Sequence, residues 1–221
     1  YKSAQKVDYF IANSENVKNR IQKFYRKEST IIYPPIEVEK IFNATRNLKK
    51  ENYYLIVSRL VGAKGLKEAS VVAKKLSFNL KIVGESHGFA DVENKLKKLS
   101  SGNIELVGRV SDERLYKLLG RAKAFIALAK DEDFGMTVVE SQAAGTPVIA
   151  FNGGGFKESI IDNKTGVLIN EITEESIKDA VSKIEKTKWK KDDLLNNAKK
   201  FSKERFKKEM IQFVHAKLKE K

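Results

Sequence analysis

The sequence predicts an α/β fold built on a doubly wound parallel sheet, and three observations predict it. Six short, nearly continuous apolar runs recur along the chain: Tyr54–Ser58, Leu80–Val83, Ile104–Val107, Ala124–Leu128, Pro147–Ala150 and Gly166–Ile169. Strands covered on both faces read this way, because neither face alternates to polar residues. Stretches with helical spacing lie between them, near 66–76, 91–99, 112–120, 135–144 and 155–161. Strand–helix alternation calls for a parallel sheet with helices on both faces, wound by right-handed crossovers. The length, 221 residues with 41 % apolar and 33 % charged side chains, suits one full domain plus extra pieces and is short for two complete α/β domains. In such a fold ligands sit at the carboxyl ends of the strands.

The opening segment, residues 7–13, reads as a short strand. Ser14 is placed to cap the next helix, whose Val17, Ile21, Phe24 and Tyr25 share a face. Thr30–Tyr33 is strand-like and stops at Pro34-Pro35, which stiffens a connection. Residues 36–52 are polar and irregular, with a domain boundary expected near them. Ser111 caps the 112–120 helix, Asp112 and Glu113 favour its positive end, and Leu115, Leu118 and Leu119 form its apolar face. Thr173 caps a helix bearing Ile177, Ala180, Val181 and Ile184, and a last helix carries Phe206, Met210, Phe213, Val214 and Leu218 on one stripe. These features divide the chain into an opening segment, 1–35; the sheet domain, 36–190; and C-terminal helices, 191–221.

With no cysteine, the chain offers no disulfide, cysteine–zinc site or cysteine nucleophile, which suits a reducing, cytoplasmic setting. Neither His87 nor His215 has a partner at metal-ligand spacing, so no protein-bound metal is expected, and no Ser-His-Asp set is readable. No apolar run reaches the ~18 residues of a spanning helix. Tyr1-Lys2-Ser3-Ala4 lacks both an initiator Met and a signal-peptide core, and reads as the opening of a fragment. The formal charge of +14 favours anionic partners, or else reflects solvated lysine-rich helix faces. Nucleic acid is not expected, because no RNA-module signature with aromatics set among basic residues is visible and no recognition helix stands out. Residues 186–191, KTKWKK, with the final helix could meet an anionic lipid surface, giving peripheral membrane contact, or could pack on their own domain.

Chemistry concentrates in Asp131-Glu132-Asp133-Phe134-Gly135-Met136-Thr137-Val138-Val139-Glu140, running into Ser141-Gln142-Ala143-Ala144-Gly145-Thr146-Pro147. The segment leaves a strand and opens a helix. Gly135 carries no side chain, and the N–H groups of Gly135, Met136 and Thr137 would face outward at the positive helix end, where a phosphate or developing negative charge is stabilised. Glu132 stands just before the helix, in reach of a sugar hydroxyl. Glu140, one to two turns in, can grip a vicinal diol such as a ribose. The bland alternative is that the three acids only favour the helix N-terminus. Ser58-Arg59-Leu60-Val61-Gly62-Ala63-Lys64-Gly65 follows the first strand of the domain; Arg59 supplies a planar fork and Lys64 a point charge, either a diphosphate clamp or two surface bases.

The Glu132-x7-Glu140 pattern, its Phe-Gly and the trailing Ala-Ala-Gly-Thr-Pro-Val closely resemble the donor site of glycosyltransferase family 4, retaining enzymes of the GT-B fold. The resemblance spans about residues 7–200. It implies that this chain is the C-terminal, Rossmann-like half of such a fold, transferring a hexose, mannose marginally preferred, from a nucleoside diphosphate sugar with retention. It implies that Arg59 and Lys64 bind the diphosphate and stabilise the leaving group, forming the catalytic set with Glu132. Phe134, Gly135, Met136, Thr137 and Glu140 make up the donor-binding set, with Val110 in Val107–Ser111 as the backbone contact for the base. The donor is substrate, and no separate cofactor is expected; a pyridoxal-phosphate phosphorylase on the same fold is the alternative enzyme. The resemblance also makes 1–35 the end of an N-terminal acceptor domain with its linker, and 191–221 helices packing back toward that missing domain, which would bind a saccharide or lipid-linked acceptor. Its absence would leave the flanking apolar stripes open to self-association and the fragment weak or inactive. Two loops depart from the family: Gly84-Glu85-Ser86 replaces its Gly-x-Gly, and Asn152-Gly153-Gly154-Gly155 has one glycine more than its Gly-Gly-x-x-Glu. That glycine loop could cradle phosphate or only turn tightly.

Overall fold

A computed structural model describes residues 2–86, 94, 96–98 and 102–220. The helix expected at 91–99 and His87 fall largely or wholly outside them. Six parallel strands form the main sheet: β3 (Tyr54–Val57), β4 (Leu80–Val83), β5 (Ile104–Gly108), β6 (Ala124–Ala127), β7 (Val148–Phe151) and β8 (Gly166–Ile169). Their order is β5-β4-β3-β6-β7-β8, so the winding reverses between β3 and β6.

The apolar runs split their residues between two cores, as a period of two demands. Tyr54 and Ile56 of β3, Ile126 of β6 and Ile149 of β7 face one core; there they meet Leu66, Ala69 and Val72 of α3 (Leu66–Leu76) and Ile177, Ala180 and Ile184 of α7 (Glu174–Lys186). Leu55, Phe125, Val148 and Ala150 face the other core, closed by α4 (Asp112–Arg121), α5 (Met136–Ala143) and α8 (Lys191–Lys199). Ser14, Ser111 and Thr173 each accept a backbone N–H in the first turn of the helix they precede, as expected, and Ser202 does the same for α9 (Lys203–Lys219).

Residues 36–52 are irregular only in part, over 46–52. Val38–Thr45 forms α2, packed on α4 and α5 with Val38, Ile41 and Thr45 buried. Its signal is faint in sequence: three anchors among charged residues, and no capping side chain at Glu37. The last unit also divides. Leu194 and Ala198 of α8 are fully buried in the sheet domain, because α8 packs against α5. α9 reaches the opening segment: Tyr9 and Phe213 meet edge to face at 6.3 Å, and Arg205 donates to the Tyr33 carbonyl at 2.9 Å. Two of the five residues of the stripe expected on α9, Val214 and Leu218, stay exposed.

The opening segment makes its own small parallel sheet, β1 (Ile11–Ala12) with β2 (Thr30–Ile31), bridged by α1 (Glu15–Tyr25). Between β7 and β8 the helix near 155–161 contracts to one turn, α6 (Phe156–Ser159). Among the described residues, no helix is long and apolar enough to cross a membrane.

Candidate functional site

The switch point between β3 and β6 opens into a cleft of about 430 Å³. The chain leaving β3 carries Arg59 to its rim and then Lys64, at the end of a single 3-10 turn, into its wall. The chain leaving β6 runs through Glu132 to the first turn of α5. Arg59, Lys64, Glu132, Phe134, Gly135, Met136 and Thr137 all line this one cleft. The two loops touch: Lys64 Nζ lies 2.6 Å from Glu132 Oε2, with about a quarter of each side chain exposed. Partial burial strengthens such a pair relative to a surface one, because water screens it less.

α5 opens on Gly135, at φ +84, with no side-chain cap. A Cβ there would come within 2.5 Å of the Phe156 ring, so packing and backbone conformation demand glycine, in addition to any ligand approach. The first N–H groups of α5 have no partner within their own helix, and the tip carries positive potential into the cleft. Phe134 points the other way. Its side chain is 2 % exposed, seated against Tyr33 and Phe201 with ring centroids 5.5 and 5.3 Å away, so the core takes the ring and only its neighbouring backbone is left for a ligand.

Glu140 and Val110 do not line the cleft. Glu140 lies farther along α5; burial first, and then the charge of Asp112, push its carboxyl up to about 7. Its charge in turn raises Tyr116, one turn into α4, above the usual phenol value, after burial. Val110, in the turn that leads into α4, packs half-buried against the same core as Tyr116.

The three-glycine loop neither lines the cleft nor merely turns. It lies backbone to backbone on residues 131–134: Gly155 N–H donates to the Glu132 carbonyl at 2.8 Å, and a Cβ on Gly154 would meet that same carbonyl at 2.4 Å. Trp189 of the basic segment is likewise occupied, packing on the core while its indole N–H donates to the Ile184 carbonyl at 3.1 Å.

Sequence reasoning missed the wall supplied by the opening segment, where Asn13 and Pro34 line the cleft. It also missed Glu158, which touches that segment. The Gly154-Gly155-x-x-Glu158 spacing was the available signal; its partners on α1, 142 and 143 residues away, leave no local trace.

A family model described as glycosyl transferases group 1 matches residues 37–201. An uncharacterised glycosyltransferase of Methanocaldococcus jannaschii is 28 % identical over 196 residues, covering 89 % of this chain and 55 % of its own. Among solved structures, a glycosyltransferase from Rickettsia africae aligns with a TM-score of 0.84 at 23 % identity, over 96 % of this chain and 64 % of that one. Anabaena HepE, solved with UDP-glucose, aligns with a TM-score of 0.80 at 16 % identity, over 95 % of this chain and 64 % of that one. The chain spans about half the length of the curated relatives it matches. Its doubly wound fold is the one that GT-B glycosyltransferases use for their C-terminal half, and the chain belongs to the glycosyl transferases group 1 family.

Proposed function

We propose that this chain is the donor-binding part of a retaining glycosyltransferase that moves a hexose from a nucleoside diphosphate sugar to a saccharide or lipid-linked acceptor. One observation carries the reading: two cations, a carboxylate and an uncapped helix tip converge on one cleft at the sheet's switch point. A diphosphate in that cleft would lie between Arg59 and the tip of α5. As the bond from the anomeric carbon to the diphosphate breaks, negative charge collects on the leaving phosphate; groups already aimed at it lower the barrier without reorganising. The acceptor oxygen bonds to the anomeric carbon on the same face, and its proton passes to the departing diphosphate. Without donor, Lys64 and Glu132 satisfy each other. With donor, Lys64 turns to phosphate and Glu132 to a sugar hydroxyl. Glu140 and the Val110 turn, beyond the cleft near α4, take the ribose and base.

GDP-mannose is the donor favoured by the resemblance of the 132–147 segment, and UDP-glucose its nearest competitor. A ligand that binds only the folded state raises the melting temperature in proportion to RT ln(1 + [L]/Kd). A thermal-shift panel of GDP, UDP, ADP, GDP-mannose and UDP-glucose should therefore pick out one base, with its sugar conjugate shifting further. No shift with any of the five at millimolar concentration overturns the reading.

A further inference from the structure

We infer that Glu158 is a positioning residue for the donor's sugar, acting through the N-terminus of α1 on the backbone of Glu132. The inference rests on the donor-site reading above. α1 begins with N–H groups that its own helix cannot satisfy. Ser14 Oγ accepts Val17 N–H at 3.0 Å, and the Glu158 carboxylate accepts the other two, Glu15 N–H at 2.7 Å and Asn16 N–H at 2.9 Å. A carboxylate on two amides at the positive end of a helix makes a charge-assisted, two-point bond.

Asn16 then carries the contact onward. Its side-chain amide donates to the Glu132 carbonyl at 3.3 Å. The same carbonyl accepts Gly155 N–H, three residues before Glu158, at 2.8 Å. Glu158 thus stands at the junction of two routes that grip one peptide group. One runs through α1, the other through the glycine loop. Arg20, farther along α1, pairs with Asp131 at 3.2 Å and Asp133 at 3.0 Å, on either side of Glu132. A third link comes from the linker, where the Tyr33 ring lies 5.5 Å from that of Phe134 and the Tyr33 hydroxyl senses Glu158, after burial, as a rise in its pKa. With its backbone held on one side, Glu132 presents its carboxylate to the cleft, 2.6 Å from Lys64.

A purely structural role would weaken every ligand together. A positioning role acts on the sugar and spares the diphosphate, whose cations sit on the loop after β3. The experiment is calorimetric titration of this chain and its Glu158→Gln, Glu158→Ala and Asn16→Ala variants with UDP, UDP-glucose, GDP and GDP-mannose, alongside their melting temperatures. In the wild type, one sugar nucleotide should bind more tightly than its bare diphosphate. Glu158→Ala and Asn16→Ala should weaken that sugar nucleotide at least fivefold and change the diphosphate less than twofold, with Glu158→Gln between. Asn16→Ala leaves the Glu158 carboxylate on the helix, so it decides alone if Glu158→Ala does not fold. Equal loss for both ligands, or no loss for either, overturns the inference, as does a wild type that binds both equally. A wild type that binds none of the four overturns the donor-site reading itself.

Discussion

Two helix N-termini meet at residues 131–135 and are finished in opposite ways. The tip of α1 is closed by its own chain: Ser14 and the Glu158 carboxylate take the amides of Glu15, Asn16 and Val17. The tip of α5 begins at a glycine without a capping side chain and looks into the cleft that Arg59 and Lys64 also line. Both tips carry the same partial positive charge. In one it is met by the chain's own side chains; in the other no side chain caps it, and the proposed donor's diphosphate would meet it. The closed tip and the open one share a wall, because Asn16 of the first bonds the carbonyl of Glu132, three residues ahead of the second.

The strongest attempt to break this contrast removes a cation facing the open tip. If the proposed donor site holds, Arg59→Ala or Lys64→Ala should lower kcat for glycosyl transfer about 10²–10³-fold at saturating donor, equivalent to about 2.7–4 kcal/mol of transition-state stabilisation. Unchanged kcat would remove the open tip from the chemistry.

Glu140, behind the open tip on the same helix, sharpens the contrast by titration. Its folded pKa, about 7, lies above the ordinary carboxylate value of 4.5. The folded state therefore holds the proton more tightly than the unfolded one, and stability falls as pH rises from about 4.5 to about 7. Glu140→Gln should abolish that fall and exceed the wild type at pH 8 by up to about 3 kcal/mol in urea unfolding. Parallel pH profiles for the two proteins would refute it.

At the seam between the tips, Gly155→Ala puts a Cβ 2.3 Å from the Asp133 carbonyl oxygen, backbone against backbone. A loss of about 2 kcal/mol of unfolding free energy is expected, and a neutral result would show that the loop moves freely. At the closed tip, Ser14→Ala should cost about 1 kcal/mol in the same assay and leave nucleotide affinity unchanged. Smallest of all is Arg20→Ala. Its pairs with Asp131 and Asp133 are largely exposed, so a change under about 1 kcal/mol that shrinks with salt is expected.

The sheet was legible because strands buried on both faces leave continuous apolar runs, and Leu55 and Ile56 fall on opposite cores simply by adjacency. The caps Ser14, Ser111 and Thr173 were legible because a cap and its amide lie three residues apart. α2 was not, since one short helix with three buried anchors looks locally like polar loop. In the candidate site, the residue types at 59, 64 and 132–137 pointed to one cleft. The separate placing of Glu140 and the inward turn of Phe134 did not show.

What the chain's own order of residues determined, then, is periodicity, capping and the chemistry carried by each loop, all of which act over a few residues. Tertiary structure alone decided which side chains meet: Lys64 with Glu132 across 68 positions, and Glu158 with α1 across 142 and 143. The reason is geometric. A side chain's direction is set by its own backbone, but its partner is set by how distant elements stack on the sheet, and no local pattern records that distance.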